Sequence, residues 1–277
     1  MNIEQSIAAH YGDETFGKRL LEALSASGLD INRLSPDELA PIDEFHIGGR
    51  LATAELAAQL GLRPGLKLLD VGSGIGGPAR YLAHAFGCEV IGIDLTEAFV
   101  RIATDLTRRA SLSNRVKFQQ GSALDLPFEA ASFDGATMLH VGMNIDDKPR
   151  LCRAVRKVLR PGAFFGIYDL MRMGPGYIEF PVPWSSRPET SFVVEPSAYR
   201  AALEAAGFTL SKERNRRDFA LDFFRDMQAK AKAAGGGASP LGPALIMGPE
   251  FKDKLRHVVE AIERGAIAPI ELIARVP

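Results

Sequence analysis

The sequence predicts an α/β fold with a parallel sheet, because short apolar runs alternate with stretches of helical periodicity through its middle. The chain has 277 residues, of which 46% are hydrophobic, so it can form one large domain with an added lid or two small domains. Five apolar runs are strand candidates: residues 66–71, 89–94, 115–120, 133–140 and 163–170. Their alternation with helical segments is typical of strands joined by crossover helices.

The helices between these strands have recognisable starts and ends. After the first strand, Pro78 suits a first helical turn, apolar residues at positions 79, 82, 83 and 86 share one face, and Gly87 suits the end of the helix. Residues 96–110 and 148–159 show the same pattern. A turn at 160–162 is predicted to follow the second of these helices.

The flanks of this core differ from it and from each other. Residues 1–60 are predicted to be helical, with a helix start at Ser35-Pro36-Asp37-Glu38 and a loop at 43–49 before a helix over 51–60. Residues 174–196 are rich in proline and aromatic residues and are predicted to be irregular. The remaining elements are predicted as a helix at 197–206, a strand at 208–213, a helix at 218–233, a flexible link at 235–237, a helix at 250–263 and a strand at 269–276.

Composition and charge exclude several classes of partner. The chain has 33 Lys and Arg residues against 34 Asp and Glu, so it offers no basic surface to nucleic acid or to an anionic membrane. Cys88 and Cys152 lack metal-ligand spacing and form no disulfide framework, so we expect no metal and a reducing compartment. The sequence shows no basic leader and no run of the ~20 apolar residues that span a bilayer, so we expect a soluble cytoplasmic protein.

A glycine-rich loop, Gly72-Ser-Gly74-Ile-Gly76-Gly77, joins the first strand to its helix. Gly72, Gly74 and Gly77 match the G-x-G-x-x-G pattern that lets a pyrophosphate approach backbone N–H groups at a helix N-terminus. Asp70 stands two residues before Gly72, where its charge would oppose a diphosphate and favour a cation. S-adenosylmethionine carries an ammonium and a sulfonium and no phosphate, so it suits this loop better than a dinucleotide does. The alternative is that Asp70 caps the following turn.

A second carboxylate, Asp94, ends the second strand seventeen residues after Gly77. That distance is near the ~20 residues expected for an acid that binds ribose hydroxyls. Both cofactors contain such a ribose, so Asp94 favours an adenosine group without choosing between them. The alternative is a helix N-cap before Glu97, a position for which Thr96 is better suited.

Four motifs, in order along the chain, resemble those of the class I S-adenosylmethionine-dependent methyltransferases. They are residues 69–76 (LDVGSGIG), 121–128 (GSALDLPF), 133–134 (FD) and 159–163 (LRPGA). The resemblance implies a Rossmann-like, seven-stranded, mostly parallel sheet with helices on both faces and with helical lid segments. In that fold, 208–213 and 269–276 supply strands six and seven, the last of them antiparallel.

The resemblance also implies that the cofactor is S-adenosylmethionine. Matching positions place the cofactor-binding residues at Asp70, Gly72, Ser73, Gly74, Gly76, Asp94, Leu95, Ser122, Ala123, Leu124 and Leu139. Many relatives have an acid where this chain has Ser122, and that acid accepts a hydrogen bond from the adenine amino group. The Ser122 hydroxyl can still accept one, and the backbone of Ala123 and Leu124 would make the remaining contacts.

The flanks resemble a narrower group, the small-molecule N-methyltransferases related to sarcosine/dimethylglycine methyltransferase. The likeness rests on Phe45-His46-Ile47-Gly48 and on a helix that opens at Glu250-Phe251 and runs to 263–265. It implies that His46 and Gly48 close over the methionine end of the cofactor, whereas a plain interhelical turn is the alternative. We therefore expect a helical N-terminal lid at 1–60 and a cofactor-binding methyltransferase domain at 61–276, with substrate-lid insertions at about 173–196 and 216–264.

The chemistry of methyl transfer sets what a catalytic residue has to do. Transfer from a sulfonium is an in-line displacement with a good leaving group, so a neutral amine needs positioning and desolvation more than a strong base. An alcohol, phenol or ammonium acceptor needs a general base, and His140 at the end of the fourth strand is the candidate. The alternative is a structural histidine whose neighbouring backbone holds the ammonium group of the cofactor.

The candidate substrate-binding residues follow strand ends or lie in the proline-rich segment, where α/β enzymes bind substrates. They are Met143, Asn144, Tyr168 and Trp184. Aromatic faces suit a methylated ammonium, although Trp184 can equally pack its segment onto the core. Tyr11, in an N-terminal lid, could approach the methyl group.

The function predicted from the sequence is methyl transfer from S-adenosylmethionine to a small-molecule acceptor, with an amine nitrogen favoured and oxygen or carbon left open. The competing hypotheses are a nicotinamide-dependent oxidoreductase that uses the same glycines, and a non-catalytic binding module. We expect no nucleic-acid or membrane partner, and either a monomer or a homodimer.

Overall fold

A seven-stranded sheet in the order β3-β2-β1-β4-β5-β7-β6 organises the computed structural model, which describes residues 3–11, 15–233, 241–242 and 244–277. The strands are β1 (Lys67–Val71), β2 (Glu89–Asp94), β3 (Val116–Gln120), β4 (Phe133–Leu139), β5 (Leu159–Arg172), β6 (Thr209–Asn215) and β7 (Ile267–Arg275). Strands β1 to β5 pair in parallel, whereas β7 runs antiparallel to both of its neighbours. The predicted Rossmann-like, mostly parallel sheet is therefore confirmed.

Helices cover both faces of this sheet and extend beyond it. In the described residues they are α1 (Ile3–Tyr11), α2 (Phe16–Ala26), α3 (Pro36–Asp43), α4 (Gly49–Ala57), α5 (Gly77–Phe86), α6 (Glu97–Arg109), α7 (Lys148–Val158), α8 (Pro196–Ala205), α9 (Arg217–Ala233), α10 (Ala244–Met247) and α11 (Phe251–Glu263). Helix α3 begins as predicted, because Ser35 and Glu38 form a reciprocal capping box. None of the described helices is long and apolar enough to cross a membrane.

Two local expectations differ from the structure. The predicted turn at 160–162 lies inside β5, because Leu159 already pairs with Phe133, and the ladder resumes only at Phe164 opposite Gly135. The extra residues form an irregularity in which Gly162 has a φ of +77°. Helix α4 begins two residues before the predicted 51–60 segment and ends at Ala57. The predicted link at 235–237 lies outside the described residues.

The strand order creates a crevice at the carboxyl ends of β1 and β4. From β1 the chain continues outward to β2 and β3, whereas β4 and β5 lie on the other side of β1. At such a switch point the loops after neighbouring strands diverge and leave room for a ligand. Seven of the predicted site residues follow β1 or β4 directly: Gly72, Ser73, Gly74, Gly76, His140, Met143 and Asn144.

A buried ion pair fixes the N-terminal helices to this core. The guanidinium of Arg80 in α5 donates to a carboxylate oxygen of Asp43, at the end of α3, over 2.8 Å, and both side chains are fully buried. Arg80 also donates to the Ile75 carbonyl at 2.6 Å and to the Thr107 hydroxyl at 3.0 Å. The segment after α3 is thereby held against the glycine-rich loop.

Candidate functional site

A cavity of about 380 Å³ opens at this crevice, within the range of roughly 300–1,000 Å³ that is usual for small-molecule sites. Its inner wall comes from the strand ends and the loops that follow them, and its outer wall from α1, α9, α10, α11 and the proline-rich segment. The predicted site residues that line it are His46, Gly72, Ser73, Asp94, Leu95, Ala123, Leu124, Leu139, His140, Met143, Asn144 and Trp184. Six other predicted residues, Gly48, Asp70, Gly74, Gly76, Ser122 and Tyr168, lie outside the lining.

Glycines in the loop after β1 are required by the packing of the chain itself. Gly72 has a φ of +69°, and a Cβ there would lie 2.5 Å from Cγ1 of Val141. Gly76, with a φ of +88°, would place a Cβ 2.7 Å from the Arg80 guanidinium. Gly74 is different, since the nearest atom to its Cβ position is 3.8 Å away. Close packing against Val141 therefore holds the backbone of Gly72 at the wall of the cavity. Gly72 belongs to the loop whose sequence resembles a phosphate-binding loop.

Asp94 holds the shape of this loop and also lines the cavity. One carboxylate oxygen accepts from the backbone N–H of Gly74 at 2.8 Å, and the other accepts from Thr96 at 2.9 Å. The N-cap of α6 is Thr96, so the alternative role of Asp94 as the cap does not apply. The Thr96 side chain donates to the same carboxylate. A carboxylate has about four acceptor positions, so Asp94 keeps capacity for a hydroxyl group of a ligand.

Asp70 lies behind the loop rather than in the cavity. Its side chain is 2% exposed, and one oxygen accepts from the Thr137 hydroxyl at 3.0 Å. Burial raises the pKa of Asp70 to about 7. Its charge does not face the cavity directly, so the sequence argument that this charge rejects a diphosphate has no contact in the structure to support it.

Ser122 connects the loop after β3 to helix α1. Its hydroxyl donates to the carboxylate of Glu4 and accepts from the backbone N–H of Leu124 at 3.0 Å. Ala123 and Leu124 next to it line the cavity. The Ser122 hydroxyl is thus used within the chain, and it joins α1 to the segment expected to contact adenine.

The loop that contains His46 folds onto the cavity through a buried hydrogen-bond cluster. The Nε2 atom of His46 lies 2.9 Å from the Gly49 carbonyl and 3.0 Å from the Thr53 hydroxyl. Burial lowers the pKa of His46 to about 4, so its imidazole is neutral near pH 7. Gly48 has a φ of +89°, and a Cβ there would meet the Phe219 ring at 2.7 Å. The loop is therefore held by packing as well as by His46.

His140 directly follows β4 and faces the cavity. It has a φ of +54°, unusual for a residue with a side chain, and its backbone N–H donates to the Tyr168 carbonyl at 2.7 Å. Burial, with the neighbouring His46, lowers the pKa of His140 well below its usual value. Tyr168 packs its ring 5.1 Å from that of His140, so it supports the site from outside the lining.

Beyond His140, the next turn and the proline-rich segment supply the part of the cavity wall that contains the predicted substrate-binding residues Met143, Asn144 and Trp184. The Asn144 side-chain amide lies 3.5 Å from the hydroxyl of Tyr11 in α1, and Met143 lies beside it. The Trp184 indole N–H donates to the Ser191 hydroxyl at 2.8 Å, so Trp184 also fixes its own segment. Burial raises the pKa of Tyr11, and its hydroxyl is neutral near pH 7.

Several lining residues could not be selected from the sequence. Phe99, in the first turn of α6, packs 5.7 Å from Tyr11 and 6.4 Å from Phe45. Its position shortly after Asp94 could have identified it, since the residues after a ribose-binding acid commonly face the same ligand. Lys254 in α11 reaches the cavity from far along the chain, and no spacing in the sequence announces it.

Four buried polar atoms in the lining have no hydrogen-bond partner among the described residues. They are Asp43 Oδ1, Ser73 Oγ, His140 Nε2 and Asn144 Oδ1. An unsatisfied buried polar atom costs about 1–3 kcal/mol, so most such atoms in folded proteins have a partner. Their concentration around one cavity indicates a site built for a ligand with several polar groups.

The middle of the chain is similar to known methyltransferases. Residues 69–167 match the family model described as "Methyltransferase domain". The chain is 36% identical over 114 residues to a sterol 24-C-methyltransferase of Gibberella zeae, which covers 41% of this chain and 30% of that protein. It is 42% identical over 96 residues to the chloroplastic tocopherol O-methyltransferase of Arabidopsis thaliana, which covers 35% of this chain and 28% of that protein. The chain thus spans less than a third of the length of these two relatives.

A solved structure extends the likeness over most of the fold. The putative sarcosine dimethylglycine methyltransferase of Galdieria sulphuraria superposes with a TM-score of 0.67 and 22% identity, over 81% of this chain and 84% of that one. At this identity the likeness establishes the fold alone. The names of these three proteins include carbon, oxygen and sarcosine methyltransferases, so the comparisons do not fix the acceptor atom.

Proposed function

We propose that this chain, whose residues 69–167 match a methyltransferase domain, is a class I S-adenosylmethionine-dependent enzyme that transfers a methyl group to a small molecule. The observation that carries the proposal is the set of partnerless polar atoms around the cavity, together with Asp94 at the end of β2. S-adenosylmethionine offers matching groups: a ribose diol, an amino acid end and an adenine. When bound, it supplies a methyl group on a sulfonium.

Different residues of the cavity would contact the ribose diol, the adenine and the amino acid end of the cofactor. Asp94 would hold the ribose diol, and the apolar surface of Leu95, Phe99 and Leu124 would take the adenine. Ser73 and the backbone near His140 would hold the amino acid end. The remaining walls exclude water from the space between that end and Asn144, which favours an in-line displacement.

We propose an amine nitrogen as the acceptor atom because the imidazole and phenol groups nearest the acceptor side of the described lining are poor general bases. The pKa values of His46 and His140 are lowered, so both imidazoles accept a proton weakly. The pKa of Tyr11 is raised, so its phenolate form is scarce near neutral pH. A neutral amine can attack without losing a proton first, whereas a phenol or alcohol depends on proton removal.

The lid segments are proposed to close this space. Helix α1 contributes Ile3, Ile7 and Tyr11 to the lining, and α9 contributes Phe223 and Met227. These helices lie outside the matched domain, at 1–60 and within the 216–264 insertion. They would shape the acceptor chamber while the sheet binds the cofactor.

The direct test measures cofactor binding and turnover separately. Calorimetric titration should show binding of S-adenosylhomocysteine and no binding of NADH at micromolar concentration. Release of S-adenosylhomocysteine should then be screened with glycine, sarcosine, dimethylglycine, phosphoethanolamine and phenolic acceptors. Tight NADH binding without a response to S-adenosylhomocysteine would overturn the proposal.

Replacement of His140 by Asn distinguishes nitrogen from oxygen acceptors. Asn tolerates the left-handed backbone of this position, so the fold should be preserved. A general base contributes typically 10²–10⁴-fold to rate, so the amine proposal expects kcat to fall by less than about tenfold. A loss of a hundredfold or more, with unchanged affinity for S-adenosylhomocysteine, would instead assign His140 as a base and argue for an oxygen acceptor.

A further inference from the structure

One buried lysine stands in the apolar outer wall of the cavity. Lys254 in α11 is 7% exposed and is the one lysine or arginine among the described lining residues. The lining residues around it on α11 are apolar: Phe251, Leu255 and Val258. A cation in such surroundings is costly unless an anion or several acceptors pair with it.

The ammonium of Lys254 is only partly satisfied within the described chain. It donates to the Met247 carbonyl at 3.1 Å and lies 3.6 Å from a carboxylate oxygen of Glu250. The Glu250 side chain is 58% exposed, so water screens this pair. An ammonium has three donors, and one neutral carbonyl at hydrogen-bond distance leaves capacity for an anion that enters through the cavity.

Lys254 lies close to His10 of α1, and the Nε2 atom of His10 lies 3.1 Å from the Pro183 carbonyl in the proline-rich segment. The Tyr11 ring packs near Phe99, on the cofactor side, and the adjacent His10 ring lies 4.9 Å from that of Tyr11. Burial lowers the pKa of His10, and the positive charge of the nearby Lys254 also lowers this pKa. The hydrogen bond to Pro183 acts in the opposite direction. Lys254 therefore lies on the side of the cavity that the proline-rich segment lines, where Leu255 and Val258 of α11 pack in one cluster with Met143 and Trp184.

The charged groups of the cavity differ in what already pairs with them. Asp43 and Glu44 are neutralised within the chain by Arg80 and Arg50. Lys254 instead stands among the apolar lining residues Phe251, Leu255 and Val258 of its own helix. An acceptor that fits this arrangement has an apolar body and a negative charge.

We infer that the methyl acceptor is an apolar small molecule with an anionic group, and that this group pairs with Lys254. The inference rests on the proposed function, because it assigns this chamber to the acceptor. A carboxylate or a phosphate meets the same requirement. The pair orients the molecule so that its other end approaches the cofactor.

A pair of fluorescent probes that differ by one charged group tests the inference. The probes are 1-anilinonaphthalene-8-sulfonate and its neutral counterpart N-phenyl-1-naphthylamine, titrated with and without saturating S-adenosylhomocysteine. Trp184, the one tryptophan of the chain, lines the chamber and reports binding there through energy transfer to the dye. Charge-assisted pairing predicts that the wild-type protein binds the sulfonate at least about tenfold more tightly.

Matched variants separate Lys254 from general surface charge. Lys254→Met should abolish the preference for the sulfonate, and Lys254→Arg should retain it. Lys252→Met removes an exposed charge from the same helix and should leave the preference unchanged. If Lys254→Met fails to bind S-adenosylhomocysteine and shows altered circular dichroism, Lys254→Gln takes its place.

The outcomes distinguish this inference from the proposed function. Equal binding of the two dyes by the wild-type protein, or a preference that survives Lys254→Met or Lys254→Gln, would show that Lys254 only secures the Met247 carbonyl and would overturn the inference. Failure of the wild-type protein to bind S-adenosylhomocysteine would instead overturn the proposed function, whatever the dyes show.

Discussion

Asp70 is a buried carboxyl group whose two oxygens have different surroundings. One accepts from Thr137, whereas the other has no partner among the described residues. Because the folded-state pKa of about 7 exceeds the value near 3.9 of an exposed aspartate, the unfolded chain releases this proton first as pH rises. The ionised carboxylate therefore destabilises the folded state progressively across this window.

Replacement of Asp70 by Asn should remove that pH dependence. The free energy of unfolding of the variant, relative to the wild-type protein, should rise by about 2 kcal/mol between pH 5 and pH 7. Urea unfolding at several pH values measures it. Asp134→Asn is the control. Burial raises the pKa of Asp134, but hydrogen bonds from Lys67 and Arg160 outweigh burial and lower this pKa. The substitution of Asp134 should therefore change the pH dependence of unfolding only at more acidic pH. Parallel curves for Asp70→Asn and the wild-type protein would contradict the prediction.

Gly72 combines a left-handed backbone with a close contact. Gly72→Ala should destabilise the fold by several kcal/mol, because the new methyl group would overlap Val141. Gly74→Ala is the matched control, since Gly74 also has a positive φ but has room for a Cβ. Denaturant unfolding should show the larger loss for Gly72→Ala and a partial recovery in Gly72→Ala/Val141→Ala. Equal losses at the two glycines would exclude the steric explanation.

Helix α1 meets the loop after β3, which we propose contacts the cofactor, through the hydrogen bond between Ser122 and Glu4. At the cavity, α1 also contributes the apolar residues Ile3 and Ile7 and the polar residues His10 and Tyr11. Position 122 thus couples two elements that the sequence analysis treated separately. The acid that many relatives have at this position would here face the Glu4 carboxylate.

Ser122→Asp should therefore loosen α1 and weaken binding of S-adenosylhomocysteine by roughly five- to tenfold, as expected for like charges near the surface. The double variant Ser122→Asp/Glu4→Gln should restore the affinity, because the amide can donate to the new carboxylate. Calorimetric titration of the four proteins measures the coupling. An unchanged affinity in the single variant would show that α1 contributes nothing to cofactor binding.

The Arg80–Asp43 pair integrates the N-terminal helices with the sheet. Loss of one partner of a fully buried pair costs about 3–5 kcal/mol, so Arg80→Met should lower the free energy of unfolding by that amount. The exposed Lys18–Glu22 pair provides a control, because Lys18→Met should cost no more than about 1 kcal/mol. Thermal and urea unfolding check both values, and similar losses for the two variants would contradict the burial argument.

The sheet could be predicted from the sequence because its evidence is local. Apolar runs and helix caps predicted β2 at its observed bounds and most other strands within a few residues. The exception is β5, because its start depends on a pairing between Leu159 and Phe133. Asp94 and Leu139 could likewise be predicted as site residues because each stands at the end of a strand, and both line the cavity. Lys254 reaches the cavity only through packing between distant elements, which no spacing in the sequence encodes.

The position of β7 between β5 and β6 has a consequence for how the protein is made. During synthesis, each strand from β2 to β5 can pair with a strand that has already left the ribosome. In contrast, β6 pairs only with β7, so it stays unpaired until the 51 residues at 216–266 and then β7 have been synthesised. Those residues include α9, α10 and α11. During translation, the half of the cavity that would hold adenosine can therefore form early, and the half proposed for the acceptor is completed only when β7 inserts into the sheet.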